Sequence, residues 1–207
     1  MSFVIFDTEY TTWEGCLQNG WTGNRKKEIV QLSALKVSEN FEVLAQFNKV
    51  CIPTANPQLS EYFVNLTGIT NEFVQENGVS FQELYADFKN FVNGDLCCSH
   101  SWGKEFSDKS DGYVIYENMQ INNLAKDESI KFCNLAEIFK TLYQKHNIDV
   151  KKQSSGEIVK VLGLEDKIAN LNLDVHNALF DVYSILEGLR FFKTEAEQLL
   201  KEKLENL

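Results

Sequence analysis

The chain has 207 residues, of which 43% are hydrophobic and 12% aromatic, so it can bury a core and is too apolar to remain disordered. Its net charge of -10 at pH 7 excludes the broad positive surface with which proteins coat duplex nucleic acid, although it does not exclude a nuclease. The length predicts one domain spanning residues 1–207, with a core over residues 2–192.

The cysteines and the apolar runs bear on where the protein works. Its five cysteines are an odd number without CxxC spacing, which argues against a disulfide framework and a zinc site. No stretch approaches 18 apolar residues, the length that predicts a membrane span. We therefore expect reduced thiols, no membrane contact and a cytoplasmic protein.

Three strands are predicted in the first quarter of the chain. FVIFD at 3–7 is a continuous apolar run, typical of a strand buried on both faces, so we place it at the centre of the sheet. EIVQLSALKV at 28–37 and EVLAQFNKVCI at 42–52 predict two more strands, joined by a turn at 38–40. Pro53 and Pro57 end this sheet segment, and helical periodicity follows.

Helices and strands alternate in the rest of the chain. The firmest helix lies in VSFQELYADFKNFVNGD, where Ser80 and Glu83 form a capping-box pattern and Gly94 follows the last turn. The remaining predicted elements are a strand at 95–102, a helix at 113–124, a strand at 131–134, a helix at 135–146, a helix capped by Ser154 and Glu157, a helix within 176–192 and a C-terminal helix at 194–206. The pattern predicts an α/β fold with a central, mixed, five-stranded sheet flanked by helices.

Two acids close the first predicted strand. Asp7 and Glu9 are two residues apart, so both side chains would point to the same face of the sheet. Carboxylates so close repel each other, and a divalent cation such as Mg²⁺ or Mn²⁺ would remove the conflict. An isolated DxE more often just ends a strand at the surface, so a metal site needs further acids elsewhere.

A second candidate lies near the C-terminal end of the core. In HNALFD, His176 stands five residues before Asp181, which places the histidine on the loop before a helix and the aspartate on that helix. The spacing alone is common, and a histidine before an apolar helix is more often a terminal or core residue than a base. The combination with a strand-borne DxE carries more weight.

The ordered set FDTEY, LTGIT at 66–70, SWG at 101–103 and HNALFD is similar to the DEDDh 3′-to-5′ exonucleases, and more narrowly to their Eri/KapD-like branch. The resemblance extends over residues 2–192. It implies an RNase H-like fold, two ions of Mg²⁺ or Mn²⁺ held by four acids, and a histidine as general base. The implied activity is hydrolysis of single-stranded RNA or DNA from the 3′ end to 5′-mononucleotides.

The resemblance assigns most of the site directly. Asp7 and Glu9 match the first motif as metal ligands, with Glu9 also catalytic, and Asp181 matches the last motif as a ligand beside the base His176. The second aspartate is displaced, because Phe106 holds its usual position three residues after the glycine of SWG.

An insertion would move this ligand to Asp108 or Asp111. We favour Asp111, because the helix that follows it then places Ile115 and Met119 at inward positions. The alternative is that neither aspartate is a ligand and the site is impaired.

Substrate contacts are expected from groups beside these motifs. Tyr10, Thr11 and Trp13 follow the first acids, Leu66 opens the LTGI segment and Trp102 lies near the second acid. Aromatic rings suit a single-stranded end because bases stack on them. Trp13 and Trp102 could instead be core residues. The basic clusters at 25–27 and 151–152 are more often solvated loop charges than binding surfaces.

Two further hypotheses keep the same fold. A chain without its second aspartate would act as a catalytically impaired nucleic-acid-binding or scaffold protein. An RNase H-like endonuclease would cut internally, and HNALFD argues against it because the mobile histidine belongs, by resemblance, to the exonucleases. No residue decides between RNA and DNA, since that depends on how the pocket treats the 2′-hydroxyl.

Overall fold

The computed structural model describes residues 2–101, 110–150 and 153–204. Within these residues five strands form one mixed sheet, as the sequence predicts. They are β1 (Ser2–Tyr10), β2 (Ile29–Ser38), β3 (Val43–Val50), β4 (Leu96–Ser99) and β5 (Phe132–Asn134).

The first strand lies at the centre of the sheet, in the order β3-β2-β1-β4-β5. It pairs antiparallel with β2 and parallel with β4, and β4 pairs parallel with β5. Residues 3–9 of β1 are all buried, which explains why its sequence is apolar on both faces until the acids begin. The prediction of a central first strand is confirmed.

Helices cover both faces of the sheet. In the described part of the chain they are α1 (Cys16–Asn19), α2 (Glu61–Thr67), α3 (Asn71–Asn77), α4 (Phe81–Val92), α5 (Asp111–Ile121), α6 (Ala136–Lys145), α7 (Ile158–Leu162), α8 (Ala178–Phe191) and α9 (Lys193–Leu204). A short 3-10 turn, Ser155–Glu157, leads into α7. The capping serines predicted at Ser80 and Ser154 both cap, because Ser80 accepts from the Glu83 amide and Ser154 shares a full capping box with Glu157.

Several predicted boundaries are wrong. β4 ends at Ser99 rather than at 102, because the strand it pairs with, β5, is only three residues long. The helix predicted at 113–124 begins at Asp111, since the Ser110 hydroxyl accepts from the Tyr113 amide and starts the helix two residues earlier. The helical segment after Pro57 is divided into α2 and α3, which the side chains of Ser60 and Thr70 cap separately.

Alternate residues of β1 belong to two separate apolar cores. Phe3 and Ile5 pack with residues of α6, α8 and α9, whereas Val4 and Phe6 pack with residues of α4 and α5. Asp7 continues the first series, so its side chain points to the face that α8 covers. The polar end of β1 therefore lies beneath the N-terminal end of α8.

Side chains of two neighbouring elements fix this geometry. Gln31 of β2 accepts the Ala178 amide at 3.0 Å, which ties the first turn of α8 to the sheet. Asn118 of α5 accepts the Ile29 amide at 2.9 Å and donates to the Lys27 carbonyl at 2.8 Å. Because both side chains replace water as partners of buried backbone groups, α5 and α8 are held in register with the sheet.

All five cysteines lie in the described ranges, are buried and are free, which agrees with the predicted reduced thiols. Burial raises the pKa of the Cys51 thiol to about 12, so this group stays protonated at neutral pH. Among the described residues we find no helix of sufficient length and apolarity to span a bilayer.

Candidate metal centre

The end of β1 buries two carboxyl groups side by side. Asp7 is 6% exposed and Glu9 is 9% exposed, and both lie opposite β2 residues, Ser33 and Gln31. The strand pairing shifts between Glu9 and Tyr10, so an irregularity follows the second acid just before β1 ends at Tyr10. The two acids predicted to share a face do so, in the interior rather than at the surface.

The N-terminal end of α8 brings the second motif to the same place. Asp181 lies in the first turn of α8 and is 3% exposed, and His176 precedes the helix on the loop. One side-chain ligand atom from each of Glu9, His176 and Asp181 lies within 4.8 Å of the other two. Residues from opposite ends of the core thus form one cluster.

His176 has a backbone conformation that most side chains avoid. Its φ is +70°, in the left-handed region, where histidine is more common than β-branched residues. Asn177, the next residue, caps α8 by accepting the Leu179 amide at 3.1 Å. The loop therefore turns sharply at His176 and places its ring beside the acids instead of continuing the helix.

Asp111 joins the cluster from the opposite face of the sheet. It is the first residue of α5, and its carboxylate accepts the Thr8 hydroxyl at 2.7 Å and the Ser101 hydroxyl at 2.5 Å. Its charge helps to raise the pKa of both Asp7 and Glu9, after the larger effect of burial, so the group lies close to them. The alternative ligand, Asp108, lies outside the described residues.

The electrostatics of the four carboxyl groups are unfavourable without a counter-charge. Burial and then the charges of the other acids raise the pKa of Asp7 and of Glu9 well above the usual range. Burial raises the pKa of Asp181 to about 7 and also raises that of Asp111. At neutral pH the group must therefore retain protons or bind a cation.

The donor set fits a hard divalent cation. Carboxylate oxygens are the ligands that Mg²⁺ and Mn²⁺ prefer, and Asp7, Glu9, Asp111 and Asp181 supply them from three elements. The Oδ1 atom of Asp181 is buried, and no described side chain donates a hydrogen bond to it. A buried acceptor without a donor is costly, and coordination of a cation would satisfy it.

Two residues that sequence reasoning missed support this arrangement. The Ser155 hydroxyl lies 3.1 Å from Asp7 Oδ1 and 2.9 Å from Asp181 Oδ2, so it bridges the first and last acids. Gly156 lies so close that a Cβ there would be 2.3 Å from Asp181 Oδ1. The capping box at Ser154 predicts the local turn, but nothing in the spacing shows that this turn meets β1 and α8.

The predicted substrate contacts are placed unequally. Tyr10 and Trp13 are partly exposed at the end of β1 and in the loop that follows, and Leu66 is partly exposed on α2. Thr11 is 2% exposed, and its hydroxyl donates to the Lys26 carbonyl and accepts the Glu28 amide, so this side chain supports the loop and is not available to a substrate. Trp102 and the cluster at 151–152 lie outside the described residues.

Comparison with known protein families gives a match to the family described as exonuclease, RNase_T, over residues 4–189. The chain belongs to this family. The match confirms the resemblance to DEDDh exonucleases drawn from the ordered motifs, whereas the narrower Eri/KapD-like branch stays a prediction. A search of curated proteins finds no match for this exonuclease.

Solved structures share the fold of the exonuclease at low sequence identity. The nuclease domain of 3'hExo, a DEDDh family member, bound to rAMP, is 17% identical, with a TM-score of 0.66 over 97% of this chain and 92% of that one. Cell-death related nuclease 4 (CRN-4) is 16% identical, with a TM-score of 0.68 over 93% of this chain and 63% of that one. E. coli exonuclease I in complex with a dT13 oligonucleotide is 16% identical, with a TM-score of 0.71 over 97% of this chain and 43% of that one. These likenesses confirm the RNase H-like architecture.

The contact of Gly156 with Asp181 generates a first prediction. In Gly156→Ala the new methyl group must displace the Asp181 carboxylate, because the two would otherwise be 2.3 Å apart. We expect Mn²⁺ affinity, measured by calorimetry, to fall about 10- to 100-fold, as it does when groups that orient metal ligands are lost. Gly163→Ala is the control, since a Cβ at that left-handed position meets nothing within 4 Å. Equal Mn²⁺ affinity in the two variants would contradict this role of Gly156.

The raised pKa values generate a second prediction, on stability. A carboxyl group whose pKa is raised on folding stabilises the folded state below its unfolded pKa, about 4, and this stability is lost as the pH rises through the folded pKa, about 7 for Asp181. In metal-free protein, Asp181→Asn should therefore raise Tm more at pH 8 than at pH 5. Differential scanning fluorimetry measures this, with the exposed Asp166→Asn as control. An increase that is the same at both pH values would contradict the burial of this charge.

Proposed function

We propose that the protein is a metal-dependent 3′-to-5′ exonuclease that hydrolyses single-stranded RNA or DNA to 5′-mononucleotides, acting in the cytoplasm as a single domain. Membership of the exonuclease family supports the nuclease activity. The observation that carries the proposal is the convergence of Glu9, His176 and Asp181 within 4.8 Å, beside the buried carboxyl group of Asp7 and the partly buried one of Asp111.

Four carboxylates are proposed to hold the metal. Asp7, Glu9, Asp111 and Asp181 together carry four negative charges when ionised, which two ions of Mg²⁺ or Mn²⁺ would balance. When bound, the ions would supply the positive charge that activates a water molecule and stabilises the leaving 3′ oxygen. Ser155 orients two of the ligands, since its hydroxyl reaches both Asp7 and Asp181.

His176 is proposed to be the general base. Burial lowers the pKa of its imidazole, so the ring is neutral at physiological pH and can accept a proton. It would take the proton of the attacking water as that oxygen bonds to phosphorus and the bond from phosphorus to the 3′ oxygen breaks. Glu9 lies within reach of the same ring and would orient the water.

Exposed groups near the acids and the ligands of similar structures support the direction of cleavage and the substrate class. Tyr10, Trp13 and Leu66 are partly exposed and can contact the 3′-terminal part of a strand by stacking and apolar contact. Similar structures hold rAMP in 3'hExo and dT13 in E. coli exonuclease I, which are compatible with an RNA or a DNA strand. The position of Asp111 in the cluster argues against the impaired scaffold, which requires that no second aspartate reach the site.

The proposed function predicts a defined product pattern. A single-stranded oligonucleotide labelled at its 5′ end should give a descending ladder in Mg²⁺ or Mn²⁺, because nucleotides leave one at a time from the 3′ end. Chelator should abolish the ladder, and Asp7→Asn should slow it by at least about 100-fold through loss of a ligand. Denaturing gel electrophoresis resolves the products, with Asp166→Asn as the matched control.

Three results would contradict the proposal. Internal fragments formed at once would indicate an endonuclease. Binding without any shortening would indicate the scaffold. A ladder of equal rate in wild type and Asp7→Asn would remove the metal ligand on which the mechanism depends.

A further inference from the structure

The loop between β1 and β2 carries two pairs of an aromatic ring and a cation. The Lys27 ammonium lies 4.7 Å from the centroid of the Trp21 ring, and the Arg25 guanidinium lies 5.1 Å from that of Trp13. Trp13, Trp21 and Lys27 are partly exposed and Arg25 is exposed, and the Lys27 ammonium also pairs with the Glu117 carboxylate at 3.9 Å. We call the two rings and the two cations the ring–cation surface.

The ring–cation surface is continuous with the metal centre. Tyr10 follows Glu9 but points to the opposite face of β1, the face that carries α5 and its first residue Asp111. Its ring centroid lies 5.7 Å from that of Trp21, which in turn lies beside Lys27. Aromatic groups therefore lead from the Asp111 side of the acid cluster to the exposed part of the loop.

Hydrogen bonds hold this loop in one conformation. The Glu28 carboxylate is buried and accepts the backbone amides of Thr54, Ala55 and Asn56 at 2.6 to 2.8 Å. The Trp21 indole donates to the Thr11 carbonyl at 2.8 Å. Because charged acceptors form the stronger hydrogen bonds, Glu28 fixes the end of the loop and the rings are positioned before any ligand arrives.

The charge of the loop is opposite to that of the chain. The protein has a net charge of -10, yet residues 25–27 are three consecutive cations. They lie on the loop that follows β1 and its two acids. With cations bound, the four acids would hold one phosphate of a strand. The positive charge is therefore located where the next phosphates of a bound strand would need it.

We propose that Trp13, Trp21, Arg25 and Lys27 bind the nucleotides that precede the terminal one in a single strand whose 3′ end occupies the metal centre. The inference rests on the proposed function, since it requires a strand held at that centre. Bases stack on the indole rings and phosphates contact the two cations. Neither contact distinguishes base edges, so the surface binds without sequence preference.

The proposal is tested first by binding. Asp7→Asn protein, which should cleave at least about 100-fold more slowly than wild type, is titrated with fluorescein-labelled dT12 and dT2, and anisotropy is recorded at several salt concentrations. Arg25→Glu should weaken dT12 binding about tenfold and weaken dT2 binding less, because dT2 offers the surface only one nucleotide. It should also make the dependence of log K on log salt shallower by about 0.7, the value for one lost phosphate contact with a single strand.

Two further variants make the result specific. Trp13→Ala removes the ring beneath Arg25 and should reproduce the loss for dT12. Lys126→Glu is the matched control, because its ammonium also lies over a ring, that of Tyr116 at 5.4 Å, but on a different loop. It makes the same change of charge and should leave dT12 binding and wild-type shortening rates as they are.

The outcomes separate this inference from the proposed function. Suppose that wild type shortens dT12, and that Asp7→Asn protein binds dT12 equally tightly with and without Arg25→Glu. The proposed ring–cation surface is then wrong and the proposed function stands. The proposed surface is also wrong if Arg25→Glu and Lys126→Glu weaken dT12 binding equally, or if Arg25→Glu weakens dT2 and dT12 binding equally. If wild type never shortens dT12 but Arg25→Glu selectively weakens its binding, the surface stands and the function fails.

Discussion

Mutual repulsion among four carboxyl groups that are wholly or partly buried is the constraint on which the site depends. Asp7, Glu9 and Asp181 are nearly excluded from water and Asp111 is partly buried, and burial together with their neighbours' charges keeps protons on at least some of them. Such a cluster opposes folding at neutral pH unless positive charge enters it. Bound cations would relieve this repulsion, which supports the proposal of a metal site here.

The fold brings these groups together by fixing three elements against one another. β1 lies at the centre of the sheet, where both of its faces are buried, and it supplies two of the acids near its C-terminal end. α8 is tied to β2 through Gln31, and α5 is tied to the same strand through Asn118. Since each link satisfies a buried backbone group, the acids cannot move apart to relieve their repulsion without breaking hydrogen bonds.

The sequence predicted the features that depend on local periodicity. A continuous apolar run marks the central strand, and a spacing of two puts Asp7 and Glu9 on one face. Features that depend on which segments meet in space were missed. Ser155 and Gly156 approach Asp181 only in the folded chain, and Thr11 follows the acids but turns its hydroxyl inward to Glu28.

The family match and the structural neighbours both support the fold. The exonuclease match covers residues 4–189, whereas 3'hExo, CRN-4 and E. coli exonuclease I are only 16–17% identical to the chain, so the fold persists where most residues differ. In this chain, acids from separate elements converge at the C-terminal end of the central strand, β1. The loop after β1 differs from the acid cluster in its exposure. Its cationic side chains and indole rings are at least partly exposed and contribute little to the core.

The claim that these acids coordinate metal ions is tested most directly by anomalous diffraction from crystals grown with Mn²⁺. We predict two anomalous peaks, about 3.5–4 Å apart, in contact with the carboxylates of Asp7 and Asp181. The carboxylates of Glu9 and Asp111 should lie beside the same peaks. Well-ordered side chains with no anomalous peak between Asp7 and Asp181 would contradict it.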